Sequence, residues 1–148
     1  MGLPVPTTMP PERDAQPMPY GWFVGIDWGS QQHQVCVLDR DRRRVGERAV
    51  DHDGASLARL ADWLWTMSGG QPQRIAVAME VPRGAIVEGL LDRGFHVFAL
   101  NPKQLDRFRD RHSVAGAKDD RRDAFVLADA VRTDQPSLRR LQLDAPQL

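Results

Sequence analysis

Residues 22–50 read WFVGIDWGSQQHQVCVLDRDRRRVGERAV. The three apolar or alternating runs, separated by turn-like breaks, predict an antiparallel meander of three strands. The first run stays apolar until it closes on Asp27 and Gly29, the pattern of a buried strand that ends in a turn. From Gly54 the period changes. Leu57, Leu60, Ala61 and Leu64 recur at helical spacing, and Gly69-Gly70 stops the helix. RIAVAME (74–80) then reads as a buried strand, GAIVEGLLDRG (84–94) as a helix with Gly94 just past its end, and FHVFAL (95–100) as a fifth strand. Asn101-Pro102 opens a further helix, since proline is tolerated in a first turn. After the small-residue loop SVAGAK (113–118), residues 120–133 form the last helix.

The order is therefore three strands, helix, strand, helix, strand, then helices. Joining a meander to strands linked by crossovers predicts an α/β fold of the ribonuclease-H-like type, a mixed five-stranded sheet flanked by helices. Residues 1–20 hold six of the eleven prolines and read as a disordered tail. The ordered domain is expected over residues 21–141. Beyond Leu138 the chain turns polar, and residues 142–148 read as a second tail, with no further domain following.

Composition narrows the chemistry. The 148 residues carry 20 Lys plus Arg against 20 Asp plus Glu, so no global field attracts a polyanion and any such partner must be met by local clusters. One cysteine, Cys36, excludes an intramolecular disulfide, and the four histidines never fall at a zinc-finger spacing. The chain has no apolar run of membrane-spanning length and no signal-peptide core, which predicts a soluble protein of a reducing cytoplasm. Cys36, Trp63 and Trp65 read as packing or helix-surface residues.

The acids at element ends are the candidates for chemistry. Asp27 ends the first strand and Glu80 the fourth. Asp120 and Asp123 lie three apart at the start of the last helix, and so share one face. Each has an ordinary explanation taken alone: a turn residue, a strand end paired with Arg83, a helix cap, or a surface pair with Arg121 or Arg122. Their joint placement points further, because one fold can bring all four together. At about 4 Å and an effective dielectric near 20, each like-charged pair costs roughly 4 kcal/mol, so a cation must sit among them. Oxygen-only donors favour Mg²⁺ or Mn²⁺, and two such ions are the usual clamp for phosphodiester chemistry.

GIDWG, MEVPRG, LNPKQLDRFR and AKDDRRDA together resemble the N-terminal domain of DEDD transposases of bacterial insertion sequences, the IS110 family, to which Piv-type DNA invertases are related. The likeness covers residues 22–141. The family pattern Lys-Thr-Asp, two residues, then Asp-Ala corresponds to Lys118, Asp119, Asp120, Arg121, Arg122, Asp123 and Ala124, with Asp119 in place of the threonine. The resemblance implies a RuvC-like catalytic domain whose tetrad is Asp27, Glu80, Asp120 and Asp123, holding Mg²⁺ or Mn²⁺. It also implies DNA as substrate, a structured guide RNA, a homo-oligomer in the full-length protein, and association with the bacterial nucleoid. EVPRG stands where the family has Glu-x-Thr-Gly. The family's C-terminal, serine-bearing domain is not part of the sequence.

Phosphate contacts are expected from Lys103, Arg107, Arg111, Lys118, Arg121 and Arg122, in a segment whose cations outnumber its acids. His112, before Lys118, is placed to shuttle protons. A second cluster, Arg40 to Arg48, reads as an exposed strand turn. Three alternatives stand beside the transposase reading: a Holliday-junction-resolvase-like nuclease, a non-catalytic nucleic-acid-binding fragment, and an ATP-binding domain of the actin and Hsp70 group. GIDWGSQ resembles the first phosphate motif of that last group, but its second Asp-x-Gly motif is missing.

Overall fold

The structure is a computed structural model that describes residues 20–29, 31–82, 84–112 and 120–143, with the side chains of 112, 120 and 121 outside the description. Strands β1 (Trp22–Asp27), β2 (Gln32–Asp39) and β3 (Arg44–Asp51) form the antiparallel meander. Helix α1 (Gly54–Met67) leads to β4 (Ile75–Glu80), which pairs parallel to β1 in the register Ile26↔Met79. Helix α2 (Ala85–Asp92) leads to β5 (His96–Leu100), parallel to β4. Helices α3 (Pro102–His112) and α4 (Asp120–Asp134) follow, and β6 (Arg139–Arg140) closes the sheet antiparallel to β5. The sheet order is β3-β2-β1-β4-β5-β6.

Strand alternation builds two cores. On one face Val24, Ile26, Val35, Val37, Val77, Met79 and Val97 pack against Leu60 and Leu64 of α1 and Val87 and Leu90 of α2. On the other, Phe23, Cys36, Ala76, Ala78, Phe98 and Leu100 pack against Leu105 and Phe108 of α3 and Leu127 and Val131 of α4. The small Ala76 and Ala78 let α4 lie close to the middle of the sheet.

The helix ends follow local chemistry. The Asp53 carboxylate caps α1 by accepting from the Ser56 amide (2.7 Å) and hydroxyl (3.0 Å), and Gly69 at φ 66° ends it. At the start of α3 the Asn101 amide donates to Gln104 Oε1 (3.0 Å) while the Gln104 amide donates to Asn101 Oδ1 (2.8 Å), a reciprocal cap. The Asn-Pro-Lys-Gln run thus has a structural duty of its own.

Two expectations need correction. The sheet has six strands, not five: the chain does not leave the fold after Leu138, because Arg139 and Arg140 pair with Ala99 and Phe98 and the Leu141 amide donates to the Val97 carbonyl at 2.8 Å. Two arginines carry no apolar signal, so this edge strand declares itself only through its main-chain pairing. Tyr20, assigned above to the tail, belongs to the core. Its hydroxyl lies 2.6 Å from His96 Nδ1, and its ring meets Phe23 and Phe98 edge-on. The rest of the tail reading, residues 1–19, and residues 144–148 lie outside the described residues.

Candidate functional site

Asp27 and Glu80 are the last residues of adjacent parallel strands, each one position beyond the pair Ile26↔Met79. By alternation they share a face with Phe23, Ala76 and Ala78, the face that α4 covers. Helix α4 runs against the direction of β1. Its Asp129 takes an ion pair from Arg42 (3.5 Å) in the turn after β2, level with the start of β1, where Trp22 pairs with Asp39. The opposite end of α4, which carries Asp120 and Asp123, therefore lies toward the strand ends that carry Asp27 and Glu80. Gly25 makes the close seating possible, since a Cβ there would be 2.6 Å from the Ala128 amide nitrogen and 2.9 Å from Leu127 Cβ.

Asp123 has a partner that was not anticipated. Arg109 of α3 engages it, donating from Nε and Nη2 to the two Asp123 oxygens at 3.0 and 2.9 Å. The same guanidinium donates from Nη1 to Asp106 at 2.6 Å. The Asp123 carboxylate, with Asp106 adding to it, makes the Arg109 proton harder to remove than usual, against the opposing effect of burial. Among the described residues no three His, Cys, Asp or Glu side chains are grouped to hold a metal ion. The Asp120 side chain lies outside them.

The cations divide by position. Lys103 and Arg107 are exposed on α3. Arg111 is exposed as well, but it reaches Thr133 and Asp134 (both 3.3 Å) and lies over the Phe108 ring at 4.7 Å. Asp134 is eleven residues past Asp123, about 16 Å along the helix at 1.5 Å per residue, so Arg111 is drawn away from the acidic end. Arg122 is half-buried, while Lys118 and the side chains of Arg121 and His112 lie outside the described residues. In the Arg40 to Arg48 cluster, Arg42 and Arg44 stack on Phe125 and Arg48 on Trp63. The buried Cys36 thiol is pushed up to about 11 by burial, which keeps it from acting as a thiolate nucleophile.

Sequence reasoning passed over three features. Arg109 follows Phe108 and stands four after Leu105, on the flank of the stripe that faces α4, and that position is the signal that could have singled it out. Val81, directly after Glu80, has φ 45° with 48% of its surface exposed. The residue before a proline is ordinarily extended, so the sequence signal ran the other way. Beside Asp27, the Gly29 amide donates to His33 Nδ1 (3.2 Å). His33 Nε2 must then carry the proton and donate to His52 Nδ1 (2.8 Å), with Trp28 edge-on against the His33 ring.

A profile of the DEDD transposase family of the IS110 type, described as Transposase, matches residues 24–148. The chain is 51% identical over 125 residues to y4uE of Sinorhizobium fredii, a protein carrying a transposase name, in a match covering 84% of this chain and 35% of that protein. It is 36% identical over 123 residues to the protein of Streptomyces coelicolor named as the mini-circle transposase for IS117, covering 83% of this chain and 30% of that protein. The chain thus spans about a third of the length of the curated relatives it matches. Among solved structures, T. thermophilus RuvC in complex with Holliday junction substrate aligns with a TM-score of 0.54 at 16% identity, over 82% of this chain and 100% of that chain. That likeness concerns the fold, and it agrees with the ribonuclease-H-like architecture expected from the element order.

Proposed function

From the premise that the chain belongs to the DEDD transposase family of the IS110 type, we propose that it is the metal-dependent catalytic domain of a DNA transposase or recombinase, with Asp27, Glu80, Asp120 and Asp123 as its working carboxylates. The observation that carries the reading is the adjacency of the C-terminal ends of β1 and β4 on the face covered by α4. Rigid neighbouring strands hold Asp27 and Glu80 side by side. The first turn of α4 brings Asp120 and Asp123, three residues apart, on one helix face. The donors are hard carboxylate oxygens without imidazole or thiolate, a set that fits two Mg²⁺ or Mn²⁺ ions. Bound there, the ions would polarise a phosphodiester and help generate the attacking hydroxyl.

The exposed Lys103 and Arg107, with Lys118, Arg121 and Arg122 around the start of α4, would meet backbone phosphates flanking the acids. A structured guide RNA and a homo-oligomer belong to the same reading, carried by family membership, as does action on the DNA of a bacterial nucleoid. No helix among the described residues is long and apolar enough to cross a membrane. We place the working domain at residues 20–141, one residue longer at its start than the sequence alone predicts because Tyr20 packs on the sheet.

Titration calorimetry with Mn²⁺ tests the site. The chain is expected to bind the ion, and Asp27→Asn, Glu80→Gln, Asp120→Asn and Asp123→Asn are each expected to weaken binding at least tenfold, since even the loss of an outer-shell partner costs a metal site about that much. Unchanged binding in all four variants would remove the tetrad.

A further inference from the structure

Arg109 bridges two carboxylates of unequal exposure. The Asp123 side chain is 15% exposed and has both oxygens engaged by Nε and Nη2, whereas Asp106 is 66% exposed and receives only Nη1. A planar guanidinium set edge-on against a carboxylate occupies one in-plane lone pair on each oxygen, the edge by which a divalent ion would be chelated. Its positive charge would also face that ion at close range. Asp123 in this state therefore has its chelating edge engaged by Arg109. Asp106 lies three residues before Arg109 on the same helix, so the guanidinium can stay held through Nη1 while Nε and Nη2 swing away. Such a change needs side-chain rotation alone.

We propose that Arg109 is a resident counter-cation which occupies Asp123 until a divalent ion displaces it, Asp106 then retaining the displaced guanidinium. This rests on Asp123 being a metal ligand. The arrangement has a physical motive. Acids gathered for metal repel one another when no ion is bound, and one internal guanidinium relieves that repulsion without a bound ligand. Its consequence is that divalent-ion affinity is set partly by a residue that never touches the ion.

The test is Mn²⁺ binding to the 148-residue chain, followed by loss of the free-ion electron paramagnetic resonance signal, with thermal melting in chelator alongside. Arg109→Gln is expected to bind Mn²⁺ about tenfold tighter, the scale of a partly exposed bidentate pair, and to melt lower in chelator. Asp106→Asn, which removes the alternative partner, is expected to bind Mn²⁺ more weakly. If Arg109 only oriented Asp123 for the ion, Arg109→Gln would bind more weakly instead, so equal or weaker binding overturns the proposal. Should Arg109→Gln not fold, Arg109→Lys replaces it. A lysine ammonium cannot span both oxygens, so binding must still tighten, by a smaller factor, and unchanged or weaker binding is again the overturning result. Asp123→Asn separates the two readings. Wild-type Mn²⁺ affinity in that variant, or no binding by either the wild type or Arg109→Gln, removes Asp123 from the metal site and the proposal with it.

Discussion

A β-carbon on Gly25 would collide with the Ala124 carbonyl oxygen and stand 2.6 Å from the Ala128 amide nitrogen. Helix α4 thus rests on the bare backbone of β1, and this contact fixes how far the acidic end of α4 stands from Asp27. Backbone atoms cannot swing aside as a side chain can. Gly25→Ala should therefore push α4 off the sheet, at a cost of about 3 kcal/mol and a fall in melting temperature of roughly 5–10 °C. Thermal and denaturant unfolding would read it, and a variant that melts with the wild type would show that α4 has room to spare.

Val81 should behave in the opposite sense. It holds φ 45° directly after Glu80, a conformation that a β-branched side chain resists, and its exposed side chain has little burial to lose. Val81→Asn, which tolerates the left-handed region, is expected to stabilise the chain by about 1 kcal/mol. A loss of stability would mean that the Val81 side chain contributes packing which outweighs the strain.

The His33–His52 pair carries a pH dependence. Burial, and secondarily the neighbouring His52, hold His33 below the ordinary imidazole value of 6.5. The unfolded chain then binds the proton more readily than the folded one, so stability is full above that value and declines as pH falls from it toward the lower folded value. Protonating His33 at Nδ1 would also break the bond from the Gly29 amide, two residues past Asp27. Replacing His33 by Gln should flatten the slope of melting temperature against pH in this window; His96, also held low by burial, supplies a remaining slope. An unaltered slope would assign the dependence to other groups.

The fold was legible because its signals are repetitive: alternation in β1 and β4, the i, i+3, i+4 spacing of Leu57, Leu60, Ala61 and Leu64, and glycines at helix ends. What was not legible depends on single contacts. β6 is two arginines whose place is set by main-chain pairing with Ala99 and Phe98. Tyr20 follows a proline-rich stretch, and only the position of His96 on β5 reveals that its hydroxyl has a partner. At the candidate site, Asp27 and Glu80 could be placed because parallel strands in register end together. The Arg109 clasp on Asp123 could not, since it joins two helices whose crossing no periodicity records, and Lys118, Arg121 and Arg122 stand nearer in sequence as partners.

Metal should act on stability through Glu80. In chelator, Glu80→Gln is expected to melt at or above the wild-type temperature, because it removes one of two carboxylates at adjacent strand ends. With Mn²⁺ at a hundred times its dissociation constant, the wild type should gain about 2.7 kcal/mol and Glu80→Gln little or none. A variant stabilised by Mn²⁺ as much as the wild type would place the ion elsewhere.

Nucleic-acid binding should be weak, steeply salt-dependent and indifferent to sequence. The zero net charge gives no long-range attraction, so affinity must come from a few phosphate contacts, each of which releases condensed counterions when it forms. Lys103 and Arg107 are exposed on α3. Lys103→Ala and Arg107→Ala should each weaken binding to unrelated duplexes by a similar factor and lower the slope of log affinity against log salt by about 1. Arg111→Ala serves as the internal contrast. Its guanidinium is committed to Thr133 and Asp134, so its loss should leave DNA affinity unchanged while loosening the contact of α3 with the far end of α4. Fluorescence anisotropy on two duplexes of different sequence across a salt series decides the matter. Affinity that ignores salt, or an Arg111→Ala loss as large as that of Arg107→Ala, would move the phosphate contacts off the exposed side of α3.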